Sequence, residues 1–186
     1  MRYVFMDNYR GFAETLIPVS GATFLVGENS TGKTSFLTLV HLLSTPEFLF
    51  AQDFSRGAPG ILGGFRDIVS ITSSDASYFS IGTIRTGAKA GRAKGEVECT
   101  FNIMKFSDEE GLPRICSYSS YRNGKLASIL FKGDRAHYKV TEHPSPASLD
   151  SGSLRDFFLR VYREASRCQR RMKTPQIAGR KFPSPR

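Results

Sequence analysis

A chain of 186 residues, 40% apolar and 12% aromatic, is long enough to pack one domain. No apolar run reaches the ~18 residues a membrane helix needs, and Met1-Arg2-Tyr3-Val4-Phe5-Met6-Asp7 meets an acid too early for a signal peptide, so a cytoplasmic chain without membrane contact is expected. Of the net charge of +9, residues 167–186 carry seven basic side chains and no acid, which leaves the body near neutral and predicts a basic, disordered tail.

In chain order, residues 2–8 and Thr15-Leu16-Ile17-Pro18-Val19 read as short strands joined by a turn at Asn8-Tyr9-Arg10-Gly11-Phe12. Ala22-Thr23-Phe24-Leu25-Val26 is a compact β-rich run, the pattern of a strand buried on both faces, and it leads into a glycine loop. After Lys33 the period changes: Phe36, Leu37, Leu39, Val40, Leu42 and Leu43 predict a helix, ended by Ser44-Thr45-Pro46. Residues 50–66 are loop-like, with Pro59-Gly60 and Gly63-Gly64.

The stretch 77–141 predicts antiparallel strands that close in a meander of three or four. Its segments are Tyr78 to Ile84, Glu96 to Ile103, Ile115 to Tyr121, Leu126 to Phe131 and His137 to Val140, with turns at Ser107 to Gly111 and at Gly133-Asp134. Asn123-Gly124 is the strongest hairpin signal, because both residues tolerate positive φ. Leu154, Phe157, Phe158, Val161 and Ala165 share one face of a helix over 153–166, with Ser153 and Asp156 as its capping start. The cysteines (Cys99, Cys116, Cys168) and histidines (His41, His137, His143) are scattered without ligand spacing, and predict neither a disulfide frame nor a zinc site.

The loop Gly27-Glu28-Asn29-Ser30-Thr31-Gly32-Lys33-Thr34 fits the phosphate-loop pattern, with strand before and helix after. A triphosphate is a dense anion, and a helix N-terminus offers unpaired N–H donors and roughly half a positive charge. Gly27 and Gly32 let the backbone approach the phosphates, and the amides from about Asn29 to Thr34, with Ser35 following, form the nest. Lys33 reaches the β and γ oxygens and is the catalytic candidate; the Thr34 hydroxyl is the candidate ligand for Mg²⁺. The expected cofactors are ATP and Mg²⁺. Guanine selection by Asn-Lys-x-Asp is absent from the sequence.

Asn8 to Phe12, the strand ending at Val19 and the run from Thr23 to Leu37 together resemble the N-terminal lobe of ABC-type ATPases, and are most similar to the RecF, SMC and OLD-nuclease-like branch. That branch includes AAA-family ATPases of antiphage systems. The resemblance covers residues 1–44 closely and 61–141 diffusely. It implies an α/β fold, a partial P-loop NTPase with an antiparallel β-subdomain: an ATP-binding lobe over 1–166, made of a core (1–70), a β-subdomain (77–141) and the helix 153–166. It also implies that Arg10 reaches the nucleotide, with Arg56 or Arg66 at its edge, and that the complete protein hydrolyses ATP as a head-to-tail dimer in DNA repair or antiphage defence, with DNA or a nuclease as partner. Gln52 stands too soon after Lys33 to match the family's magnesium-binding glutamine.

Hydrolysis needs a second acidic group on Mg²⁺ and a residue that orients water, which this family supplies from an apolar strand ending Asp-Glu. The sequence has neither that strand nor a Leu-Ser-Gly-Gly signature, so it holds the first half of a two-part site. A shortened chain or a partner chain that supplies the strand would each account for this, and shortening is favoured because a sheet without its inner strands leaves apolar faces open. A second class of function remains: a non-enzymatic nucleic-acid or partner-binding module that uses the basic tail beside a vestigial loop.

Overall fold

The structure, a computed structural model, describes residues 2–29, 31–51, 54, 62–88, 97–122, 124–143 and 151–171. Its strands are β1 (Arg2–Asp7), β2 (Thr15–Val19), β3 (Tyr78–Ala88), β4 (Val97–Glu109), β5 (Leu112–Arg122), β6 (Lys125–Lys132) and β7 (Arg135–Glu142). Its helices are α1 (Lys33–Ser44), α2 (Pro46–Ala51), α3 (Phe65–Ile68) and α4 (Ser151–Arg171). All seven strands form one antiparallel sheet in the order β2-β1-β3-β4-β5-β6-β7. The class is mixed α/β.

The two-residue period of β1 explains how it is buried on both faces of the sheet. Val4 and Met6 project to one face and Tyr3 and Phe5 to the other, and all four are buried. On the first face Phe36, Leu39 and Leu42 of α1, with Phe48, Phe65 and Ile68, pack on Met6, Phe79, Ile81, Met104 and Phe106. On the second, Leu154, Phe157, Phe158, Val161 and Tyr162 of α4 pack on Phe5, Phe101 and Tyr121. Edge-on aromatic contacts tie this layer, with Phe5 and Phe158 centroids 4.7 Å apart. Cys99 lies in the same layer, where burial pushes its thiol up to about 11.

The meander has five strands, not three or four, and it is continuous with the N-terminal pair because β1 lies along β3. The turn expected over Ser107 to Gly111 shrinks to Glu110 and Gly111, both at positive φ (54° and 83°), so β4 and β5 run to the tip. Asn123 lies outside the described residues, while Gly124 has the positive φ its turn requires.

One expected strand does not form. Residues 22–26 pair with none of the seven strands, and Phe24 and Val26 are 88% and 92% exposed; Leu25 alone of the run packs against the core. An extended segment obtains its ladder hydrogen bonds from a neighbouring strand, and no described strand runs beside this one. At the other end α4 continues past residue 166 to Arg171, so the first five residues of the expected tail are helical. Residues 172–186 lie outside the described residues. No helix among the described residues is long and apolar enough to cross a membrane.

Candidate functional site

The turn that follows β1 fixes one wall of the site. Asn8 and Arg10 sit at positive φ (58° and 50°), and Tyr9 and Phe12 exchange backbone hydrogen bonds of 3.1 and 2.9 Å, which closes the turn. The Asn8 side-chain amide donates to the carbonyls of Asp75 and Tyr78, and the Asn8 backbone carbonyl accepts from the Ser70 amide at 2.9 Å. The Arg10 amide donates to the Ile68 carbonyl at 2.7 Å, which ties the turn to the end of α3.

From this platform two side chains reach the first turn of α1. The Tyr9 hydroxyl donates to the Ser35 carbonyl at 3.2 Å, and burial pushes its phenol up to about 12 against the opposing pull of Arg10, so it remains a neutral donor at ordinary pH. Arg10 Nη1 donates to Ser35 Oγ at 3.2 Å. Arg10 Nε is buried and has no hydrogen-bond partner among the described residues. A leftover guanidinium donor is a place for an anion.

Gly32 serves as the N-cap of α1 at φ 88°, and a Cβ built there would meet the Phe12 ring at 2.8 Å. Glycine is therefore required both by conformation and by the aromatic ring packed against it. Phe36 N–H donates to the Gly32 carbonyl at 2.9 Å, and the amides of Lys33, Thr34 and Ser35 precede that first helical bond, as at any helix start. The Lys33 ammonium donates to the carbonyls of Gly27 (2.7 Å) and Glu28 and to Thr31 Oγ1, and Thr31 in turn donates to the Glu28 carbonyl at 2.9 Å. The loop thus closes on its own lysine, and a phosphate must compete with those carbonyls for it.

Beside the loop lies a cleft of about 590 Å³ lined by Asn29, Thr31, Gly32, Lys33, Thr34 and Ser35 from the loop and by Arg10, Gly11 and Phe12 from the turn. Among the described residues two cations and no acid face it, an arrangement that favours a polyanion. Most of the expected site residues therefore converge. Gly27 and Glu28 contribute carbonyls to the Lys33 cap, and Ser30 lies outside the described residues. Arg66 is exposed on α3 and is not among the lining residues; Gln52 and Arg56 lie outside the described residues. Phe12 and Gly11 are additions. Their signal, an aromatic two residues after Arg10 in a glycine turn, is too common to single out without the fold.

The lining residues test the two expected cofactors differently. A triphosphate fits two cations, a helix start and an unpaired buried guanidinium nitrogen. For magnesium the lining offers only the exposed Thr34 hydroxyl as the expected ligand, with no carboxylate, so the ion would depend on phosphate oxygens and water. Comparison with known protein families, with characterised proteins and with solved structures finds no match for this chain.

Proposed function

We propose that this chain binds the phosphates of MgATP in the cleft between the Asn8–Phe12 turn and the start of α1. The single observation that carries the reading is a cleft that, among the described residues, holds Arg10 and Lys33, no acid, and a buried Arg10 Nε without a partner. Lys33 leaves the Gly27 and Glu28 carbonyls for the β and γ oxygens, the amides at the head of α1 receive the phosphate charge, and Arg10 adds a second cation. Phe12 forms the apolar wall of the cleft. The Thr34 hydroxyl would hold Mg²⁺ together with the phosphates, and that ion would offset charge on the triphosphate.

On this reading the chain is a partial P-loop NTPase, the ATP-binding N-lobe of an ABC/SMC-like ATPase acting in the cytoplasm in DNA repair or antiphage defence. The ground for that finer assignment is the sequence resemblance through Asn8-Tyr9-Arg10 and Gly27 to Thr34. Head-to-tail dimerisation of the complete protein, with DNA or a nuclease as partner, belongs to the same proposal. With no carboxylate among the described residues that line the cleft, this chain binds ATP and turns it over slowly or not at all.

Isothermal titration with MgATP tests the binding. Lys33→Ala should weaken it roughly a hundredfold and Arg10→Ala roughly tenfold, the scale of hydrogen bonds to charged groups. GTP should compete about as well as ATP if phosphate contacts dominate. Equal affinity in the parent and the Lys33→Ala protein sinks the reading.

A further inference from the structure

The sheet face that carries α1 is only partly covered. Its helices bury Met6, Ile81, Met104 and Phe106, while farther along the sheet Phe131, Tyr138 and Val140 stay 37%, 59% and 43% exposed. The strand register arranges this open face in transverse rows. One row runs Arg2, Arg85, Thr100, Arg122, Lys125, Glu142 from β1 to β7. Another holds Tyr118, Ile129 and Tyr138 on β5, β6 and β7.

The first row sets like charges directly opposite one another twice, Arg2 beside Arg85 and Arg122 beside Lys125. Such pairs cost stability. All four cations are exposed, and among the described residues none makes an ion pair or a side-chain hydrogen bond; Glu142, on the edge strand, is the row's one acid. Between the rows, Asn102 Oδ1 accepts from the Tyr118 hydroxyl (2.7 Å) and from Ser120 Oγ (2.9 Å). That bond fixes the Tyr118 ring and leaves the exposed Asn102 side-chain NH₂ as a donor. From Arg2 to Lys125 the cationic row crosses four strand spacings, about 19 Å.

We infer that this open sheet face binds single-stranded nucleic acid. The cationic row follows the phosphates, Tyr138 offers its exposed ring to an unstacked base with the half-buried Tyr118 ring in the same row, and Asn102 and Ser120 supply polar contacts between the rows. Every base has a π-face, so stacking on a flat sheet tolerates sequence, and phosphate neutralisation relieves the repulsion within the row. A duplex keeps its bases stacked inside and gains only the charge contacts. The inference stands apart from the nucleotide cleft, which uses none of these residues.

Fluorescence anisotropy of the full chain with labelled thymidine and uridine oligonucleotides of about 15 nucleotides tests it. Either strand should bind more tightly than a duplex of the same length. Tyr138→Ala should weaken binding on the order of tenfold, and the double variant Arg85→Ala/Arg122→Ala should flatten the logarithmic salt slope by about 1.4, two phosphates at 0.7 each. Tyr138 and both arginines are exposed, so Tyr138→Ala should melt like the parent, the double variant, relieved of both like-charge pairs, should melt no lower than the parent, and ATP titration should match the parent protein. Three results overturn the idea: preference for duplex, no binding at low salt, or binding lost on deletion of residues 172–186 while the sheet variants bind like the parent.

Discussion

Two segments reach the phosphate loop from different sides, and they are held in opposite ways. The Asn8–Phe12 turn is bound to distant parts of the chain: Asn8 to residues 70, 75 and 78, Arg10 to Ile68, and Tyr9 to Ser35. The segment from Ser20 to Glu28 is held locally. Ser20 bonds Thr23 and Ala22, Thr31 bonds Glu28, and the Lys33 ammonium bonds Gly27 and Glu28, all within six residues. Long-range hydrogen bonds among buried groups open only with much of the fold, whereas local ones on an exposed segment open cheaply. The cationic wall is therefore set before any ligand arrives, and the loop opposite it is the part that a ligand must rearrange.

The largest expected effect attacks the well-anchored side. Asn8→Ala removes the side-chain donor shared by the Asp75 and Tyr78 carbonyls, leaving Asp75 with its Ser73 Oγ bond, and forces alanine to positive φ, a loss of about 3 kcal/mol, or roughly 6–12 °C in a thermal melt of a chain this size. An unchanged melting temperature would show that the turn is not the anchor described here.

A smaller effect comes from Glu14, which follows the turn and pairs with Arg163 of α4. Hydrogen bonding to Arg163, reinforced by its charge, holds the Glu14 carboxyl below the usual carboxylate range. Because the folded value lies below the unfolded one, the pair's contribution is present above the unfolded value and is lost as pH falls through the folded one. Glu14→Gln should melt roughly 2 °C lower at neutral pH, and the gap should begin to close as pH falls past the unfolded glutamate value of about 4.3 and vanish once the folded carboxyl is protonated. A gap that persists at low pH contradicts the assignment. Smallest of all, Phe24→Ser on the exposed segment should move stability by less than about 0.5 kcal/mol, read from urea unfolding. A large loss there would mean that the segment is held more firmly than its exposure indicates.

The legible parts of the sequence were those in which a local pattern and its tertiary use agree. Alternation in residues 2–8 and 78–84, the helical spacing from Phe36 to Leu43 and the glycines before Lys33 all led to the elements found. Residues 22–26 were misleading because an apolar run records what a segment would bury, not whether a neighbour is present to bury it. The Asn8–Phe12 turn was visible as a motif, but the partners of Asn8 lie about 70 residues away, beyond any local pattern. Phe12 entered the site only through its contact with Gly32. The end of α4 was set too early because the apolar stripe stops near Ala165, while the polar, arginine-rich residues after it continue the helix.

Asp7 gathers its partners from three widely separated stretches of chain. Its carboxylate accepts from the Glu14 amide (3.0 Å), the Tyr78 hydroxyl (3.2 Å) and the Tyr162 hydroxyl (2.7 Å), and burial beside that anion drives the Tyr162 phenol far above its ordinary value. As the polypeptide leaves a ribosome, Asp7 must wait for Tyr162, 155 residues later, before its charge is fully enclosed. Over that interval β1 has its acid open to water, and the Tyr162 hydroxyl of α4 is the last of the three partners to reach it.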